Sequence, residues 1–171
     1  MKKVLSKLFA TFCACIVLLN GATAHAKNIS FLTEEEVYEM AVEIGDIYNI
    51  LPELLTSLAY QESRYSPDVK GGKCIGLMQV HPKWNKERME RLEVTDLYDP
   101  YGNMLVAADY LAELIKKYQD VAPALMEYHG ERNIQDFLDG KKSISKYAKE
   151  ILDRSEEMEI KKRKIGKDNG I

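Results

Sequence analysis

Residues 51–63 read LPELLTSLAYQES. Pro52 suits the first turn of a helix, where its missing N–H would have no intrahelical partner anyway. Leu51, Leu55, Leu58 and Ala59 then recur at helical spacing. Glu62 stands four residues after Leu58 and seven after Leu55. Seven residues fall about 20° short of two full turns, so the carboxyl shares the apolar face. A carboxyl at the end of an apolar stripe loses water, which raises its pKa and keeps its proton available near neutrality. A general acid needs that property. Periodicity leaves a second reading open, in which Glu62 sits near the helix end and rotates into solvent.

The flanking sequence also reads as helix. Thr33-Glu34-Glu35-Glu36 has the Thr-x-x-Glu form of a capping box, followed by Val37, Met40, Ala41, Ile44, Ile47 and Tyr48 at helical spacing. Ser66-Pro67-Asp68 and Gly71-Gly72 mark a loop, and a short apolar piece, Ile75 to Val80, stops at His81-Pro82. Pro100 opens a longer helix with the stripe Met104, Ala107, Ala108, Leu111 and Ile115, whose alanines permit close packing. Pro123 is expected to start another helix, ended by Gly130, and Ile144, Tyr147, Ala148, Ile151 and Leu152 line a last one. No period-2 strand pattern stands out, so the expected class is mainly α, a compact helical domain with little or no sheet.

The 171 residues suggest one domain. Apolar residues make up 46%, too many for a disordered chain, and the formal charge of −3 gives no support to a general nucleic-acid binder. From Asp153 the composition becomes strongly charged, with Asp153, Glu156, Glu157 and Glu159 ahead of Lys161 to Lys164. Glu157–Lys161 and Glu159–Arg163 are favourable i,i+4 pairs, so residues 153–171 read as a solvated helix extension and tail.

Residues 1–26 read as a signal peptide. Lys2, Lys3 and Lys7 precede the apolar run Leu8 to Leu19, and Ala24-His25-Ala26 offers an A-x-A cleavage pattern. Twelve residues make a helix of about 18 Å, too short for a ~30 Å hydrocarbon core. The exported chain is therefore expected to keep no stable membrane anchor and to be periplasmic or extracellular. Of three cysteines only Cys74 lies beyond this segment, so no internal disulfide can form; the leftover thiol is either buried or in an intermolecular bond, and burial is the expected state. With Cys74, His81 and His129 unpaired at short spacing, no metal site and no cofactor is expected.

Around Glu62 the chemistry-bearing residues come in order: Glu62-Ser63, then Gly76-Leu77-Met78-Gln79-Val80, then Ala124-Leu125-Met126-Glu127-Tyr128-His129-Gly130, then Tyr147. This ordered set resembles the lytic transglycosylases of the soluble-lytic-transglycosylase (SLT) type, in the goose-lysozyme-like superfamily. Asp99-Pro100-Tyr101-Gly102-Asn103, with Tyr110-Leu111 further on, is similar to the family's central helix. The resemblance covers about residues 47–151 and implies a transglycosylase domain at 27–152. It implies that Glu62 is the single catalytic acid and that Ser63 helps hold substrate or polarise a nearby group. It implies that Met78 and Gln79 line the sugar cleft, that Tyr128 reaches the acid or its sugar, and that Tyr147 forms the cleft wall. Where the family usually has Asn, this chain has His129, bulkier than an amide and able to take up a proton, which bears on substrate contacts and pH optimum.

The implied reaction cleaves the β-1,4 bond between N-acetylmuramic acid and N-acetylglucosamine and leaves 1,6-anhydromuramic acid ends. The implied partners are peptidoglycan glycan strands, met by a monomer in wall remodelling, beside a secretion or conjugation machine, or for a phage. Three rivals stand beside this reading. A hydrolytic muramidase needs a second carboxylate, from Asp68, Asp96, Asp99 or Glu127. A cysteine peptidase needs Cys74 with His81 or His129 as base. A non-catalytic wall-binding assembly protein keeps the fold without the chemistry.

Overall fold

The computed structural model describes residues 31–168. The signal-peptide segment, residues 1–26, lies outside the described residues. Seven helices and one small hairpin follow in the order α1 (Glu34–Tyr48), α2 (Pro52–Ser63), β1 (Lys70–Gly71), β2 (Cys74–Ile75), α3 (Lys86–Arg91), α4 (Pro100–Tyr118), α5 (Val121–Tyr128), α6 (Ile134–Leu138) and α7 (Lys146–Asp168). Among the described residues this hairpin is the one sheet, with Lys70 opposite Ile75 and Gly71 opposite Cys74.

The capping box at α1 forms. The Glu36 N–H donates to Thr33 Oγ1 at 3.2 Å, and the Thr33 N–H donates to the Glu36 carboxylate at 2.7 Å. Thr33→Ala is expected to cost about 1 kcal/mol in urea unfolding without changing the slope.

α2 packs against α1 and α7, while α4 packs against α1 and α5. The buried seam joins Val37, Ala41 and Ile44 of α1 to Leu55 and Leu58 of α2, Met104 and Leu111 of α4, Leu125 of α5 and Ile151 of α7. Each large side chain there contributes roughly 1.5–3 kcal/mol through removal from water. Ala107 and Ala108 face the same core, so α4 runs close beside its neighbours.

Two segments differ from the sequence reading. α5 begins at Val121, two residues before Pro123, because the Asp120 side chain accepts from the Ala122 N–H at 2.9 Å. Pro123 fits inside that first turn, where backbone N–H groups lack helical partners. α7 runs unbroken through the charge shift at Asp153, because Ser155 and Met158 still face inward. Met158 sulfur lies 3.6 Å from Ser57 Oγ of α2. Its outer face carries the Glu159–Arg163 pair at 2.6 Å. Among the described residues no helix is long and apolar enough to cross a membrane.

Candidate active site

The site forms where α2 ends. Glu62 lies in the last turn and is half-buried, on the inward side that its spacing from Leu55 and Leu58 predicts. Ser63 is buried, and its hydroxyl donates to the Ala59 carbonyl at 3.2 Å. The chain then reverses through Arg64 and Tyr65, with φ of 56° and 65°. Two successive left-handed, non-glycine residues cost on the order of 1 kcal/mol each and swing the hairpin back over the helix end.

The hairpin leads into a tight loop over residues 76–79, closed by mutual backbone hydrogen bonds between Ile75 and Val80 at 3.0 Å. Asn103 of α4 holds this loop from within. Its amide nitrogen donates to the carbonyls of Ile75 and Leu97, both at 2.8 Å, and its oxygen accepts from the Met78 N–H at 2.7 Å. Gly76 has φ +81°, and a Cβ there would lie 2.3 Å from the Leu97 oxygen and 2.4 Å from the Asn103 amide nitrogen. Gln79 holds the loop from the other side: its amide nitrogen donates to Val69 and Gly76 carbonyls at 3.2 and 2.9 Å, and its oxygen accepts from the Gly71 N–H at 3.0 Å.

Two tyrosines meet this frame. Tyr128, at the end of α5, donates its hydroxyl to the Met78 carbonyl at 2.8 Å. Tyr147, in the first turn of α7, donates its hydroxyl to Glu62 Oε1. The His129 ring lies stacked on Tyr147, with centroids 3.9 Å apart and planes 18° from parallel.

Burial pushes the Glu62 carboxyl up, and the Tyr147 hydrogen bond pulls it partly back down. Burial, followed by the charge on Glu62, raises both Tyr147 and Tyr128 far above an ordinary phenol. Both therefore remain hydrogen-bond donors at any working pH. Cys74 is half-buried, and burial together with the Glu62 charge raises its thiol. It is thus held as thiol, a poor nucleophile. The imidazoles of His81 and His129 are stacked on Trp84 and Tyr147.

Three of the carboxylates a hydrolase could use, Glu127, Asp99 and Asp96, are engaged elsewhere. Burial raises Glu127, but hydrogen bonds from Lys117 (2.6 Å) and Tyr118 outweigh it and hold the group below its usual range. Asp99 caps α4 through the Gly102 N–H at 2.7 Å, and Asp96 accepts from the Tyr98 N–H at 2.8 Å. Among the described residues no three His, Cys, Asp or Glu side chains gather as a metal cluster.

Glu62, Tyr147 and His129 thus come together directly, and Tyr128 joins them through the loop. Met78 is fully buried, so its backbone rather than its side chain serves the site. The polar atoms of Ser63 and Gln79 are occupied by backbone partners. Periodicity did not single out Asn103. Its signal is a polar residue four before Ala107 on the buried α4 face, where only a satisfied amide can sit.

The chain is similar to known transglycosylases. Over 87 residues the chain is 38% identical to a transglycosylase of Enterobacteria phage PRD1, covering 50% of this chain and 31% of the phage protein. Over 115 residues it is 29% identical to membrane-bound lytic murein transglycosylase E of Buchnera aphidicola, covering 58% of this chain and 52% of that one. The chain therefore spans between about a third and a half of these relatives. The lytic transglycosylase Slt of Pseudomonas aeruginosa, solved as an inactive mutant, matches with a TM-score of 0.53 at 18% identity, over 69% of this chain and 21% of that one. That likeness shows a shared helical, lysozyme-like fold. Residues 39–150, which hold Glu62, the Asn103-braced loop and both tyrosines, match the transglycosylase SLT domain, and the chain belongs to that family.

Proposed function

We propose that this protein is a peptidoglycan lytic transglycosylase in which Glu62 is both acid and base. The observation that carries the reading is one half-buried carboxyl, raised by burial and touched by a phenol that stays protonated. Protonated Glu62 gives its proton to the glycosidic oxygen between N-acetylmuramic acid and N-acetylglucosamine. The C1–O bond breaks, and an oxocarbenium-like centre forms at C1. The Glu62 carboxylate then takes the proton from the muramic C6 hydroxyl, and that oxygen bonds to C1. Water is neither consumed nor released, and Glu62 ends protonated as it began. The attacking hydroxyl belongs to the same sugar, so intramolecular proximity replaces an activated water.

In this reading Tyr147 steadies the carboxylate between the two proton transfers. Tyr128, Asn103 and Gln79 fix the loop beside it, and Ser63 anchors the helix end. The protein acts outside the cytoplasm as a monomer on glycan strands after loss of residues 1–26, with residues 27–152 as the catalytic domain and 153–171 as its charged extension.

Mass spectrometry of purified peptidoglycan after digestion tests this. Muropeptides one water lighter than hydrolysis products support the reading; reducing-end muropeptides overturn it in favour of a muramidase. Tyr147→Phe carries a pH signature. Without the phenol donor, burial alone acts on Glu62 and its pKa rises further, so the acid form persists to higher pH. The alkaline limb of kcat/KM is expected to move upward while the maximum falls about tenfold, the effect of one hydrogen bond to a charged group.

A further inference from the structure

Tyr147 is held from two sides: its hydroxyl is on Glu62 Oε1, and its ring lies under the His129 imidazole. The two side chains come from different elements, α7 and the end of α5. Tyr147 sits in the first turn of α7, where the helix has least support from its own hydrogen bonds. Its ring position therefore rests on what packs against its face. The near-parallel stack supplies that contact.

We propose that His129 is a positioning residue, not only a substrate contact: its ring clamps Tyr147 so that the Tyr147 hydroxyl stays on the Glu62 carboxylate. The proposal rests on Glu62 being the acid–base group. The Tyr147 hydroxyl pulls the Glu62 pKa down against burial. A Tyr147 ring free to tilt away from its stack would loosen that hydrogen bond, and burial alone would then act on the carboxyl.

Two variants of the full protein test the clamp. His129→Phe keeps a flat ring on Tyr147, and His129→Ala removes the ring. Carbon-13 NMR of glutamate-labelled protein follows the Glu62 carboxyl through a pH titration, with the resonance assigned by its loss in Glu62→Gln. In His129→Ala the Glu62 titration is expected to move to higher pH, and kcat on soluble glycan strands should fall about tenfold with KM changed less than about twofold. His129→Phe should return the titration toward its wild-type position and recover part of the kcat that His129→Ala loses. An unchanged Glu62 titration in His129→Ala overturns the proposal, as does a loss confined to KM. If Glu62→Gln keeps full activity, the acid–base reading fails while the NMR titration still decides the coupling.

Discussion

Glu62→Gln is expected to lower the rate of anhydro-product formation by about a thousandfold or more. General acid–base catalysis contributes about 10²–10⁴ in rate, and in the proposed reaction both proton transfers run through one carboxyl. Gln has nearly the same shape, and its amide oxygen can still accept from Tyr147, so the loss reflects the missing proton and not a collapsed site. Stability should move the other way. Burial raises folded Glu62 above its unfolded value, so between the two values the folded state holds more protons than the unfolded state. Stability then falls as pH rises through that interval. Gln carries no charge at any pH. Glu62→Gln should therefore melt higher than wild type above the folded value, and the gap should close below the unfolded one. Thermal melts across the acid-to-neutral range, paired with product mass spectrometry, check both halves. A variant that keeps wild-type turnover would remove Glu62 from the chemistry.

The stability gain and the activity loss share one cause: a carboxyl kept partly out of water. That cause was legible in residues 51–63, because period and burial are linked when a helix packs on two neighbours, as α2 does on α1 and α7. The Thr33 cap was legible for a similar reason, since its partners lie three residues away. Features whose own signal was absent or overshadowed were not. Asp120 as the cap of α5 was masked by the louder signal of Pro123. The inward turn of Met158 was hidden inside a charged run, because one apolar residue per turn is enough to seat a long helix on α2. The hairpin over residues 70–75 has two-residue strands, too short for any alternation to register. The resemblance placed Met78 and Gln79 in the sugar cleft. The fold spends the Gln79 amide on bracing the loop and turns the Met78 side chain into the core. Cys74 was read as a structural thiol, and nothing in its spacing foretold that it would feel the charge on Glu62.

Asn103→Ala is expected to destabilise the fold by about 3–5 kcal/mol, the range reached when a buried hydrogen-bond network is broken. The residue is fully buried and satisfies three backbone groups, from Ile75, Leu97 and Met78. Alanine leaves all three in a dry interior and opens a cavity as well. Each orphaned group costs about 1–3 kcal/mol, and the sum is softened where the loop relaxes toward water. At roughly 2–4 °C per kcal/mol for a domain of this size, the melting temperature should drop by about 6–20 °C. Activity measured well below that midpoint should also fall, because relaxation of the loop moves the Met78 carbonyl that Tyr128 holds. Gly76→Ala attacks the same junction from the opposite side, since its Cβ would strike both the Leu97 oxygen and the Asn103 amide. The double variant should therefore cost less than the two singles combined: truncating Asn103 removes one of the two clashes, while the Leu97 contact and the strained backbone remain. Full additivity would mean that Gly76 and Asn103 act on the loop separately, and the brace described here would not be one unit.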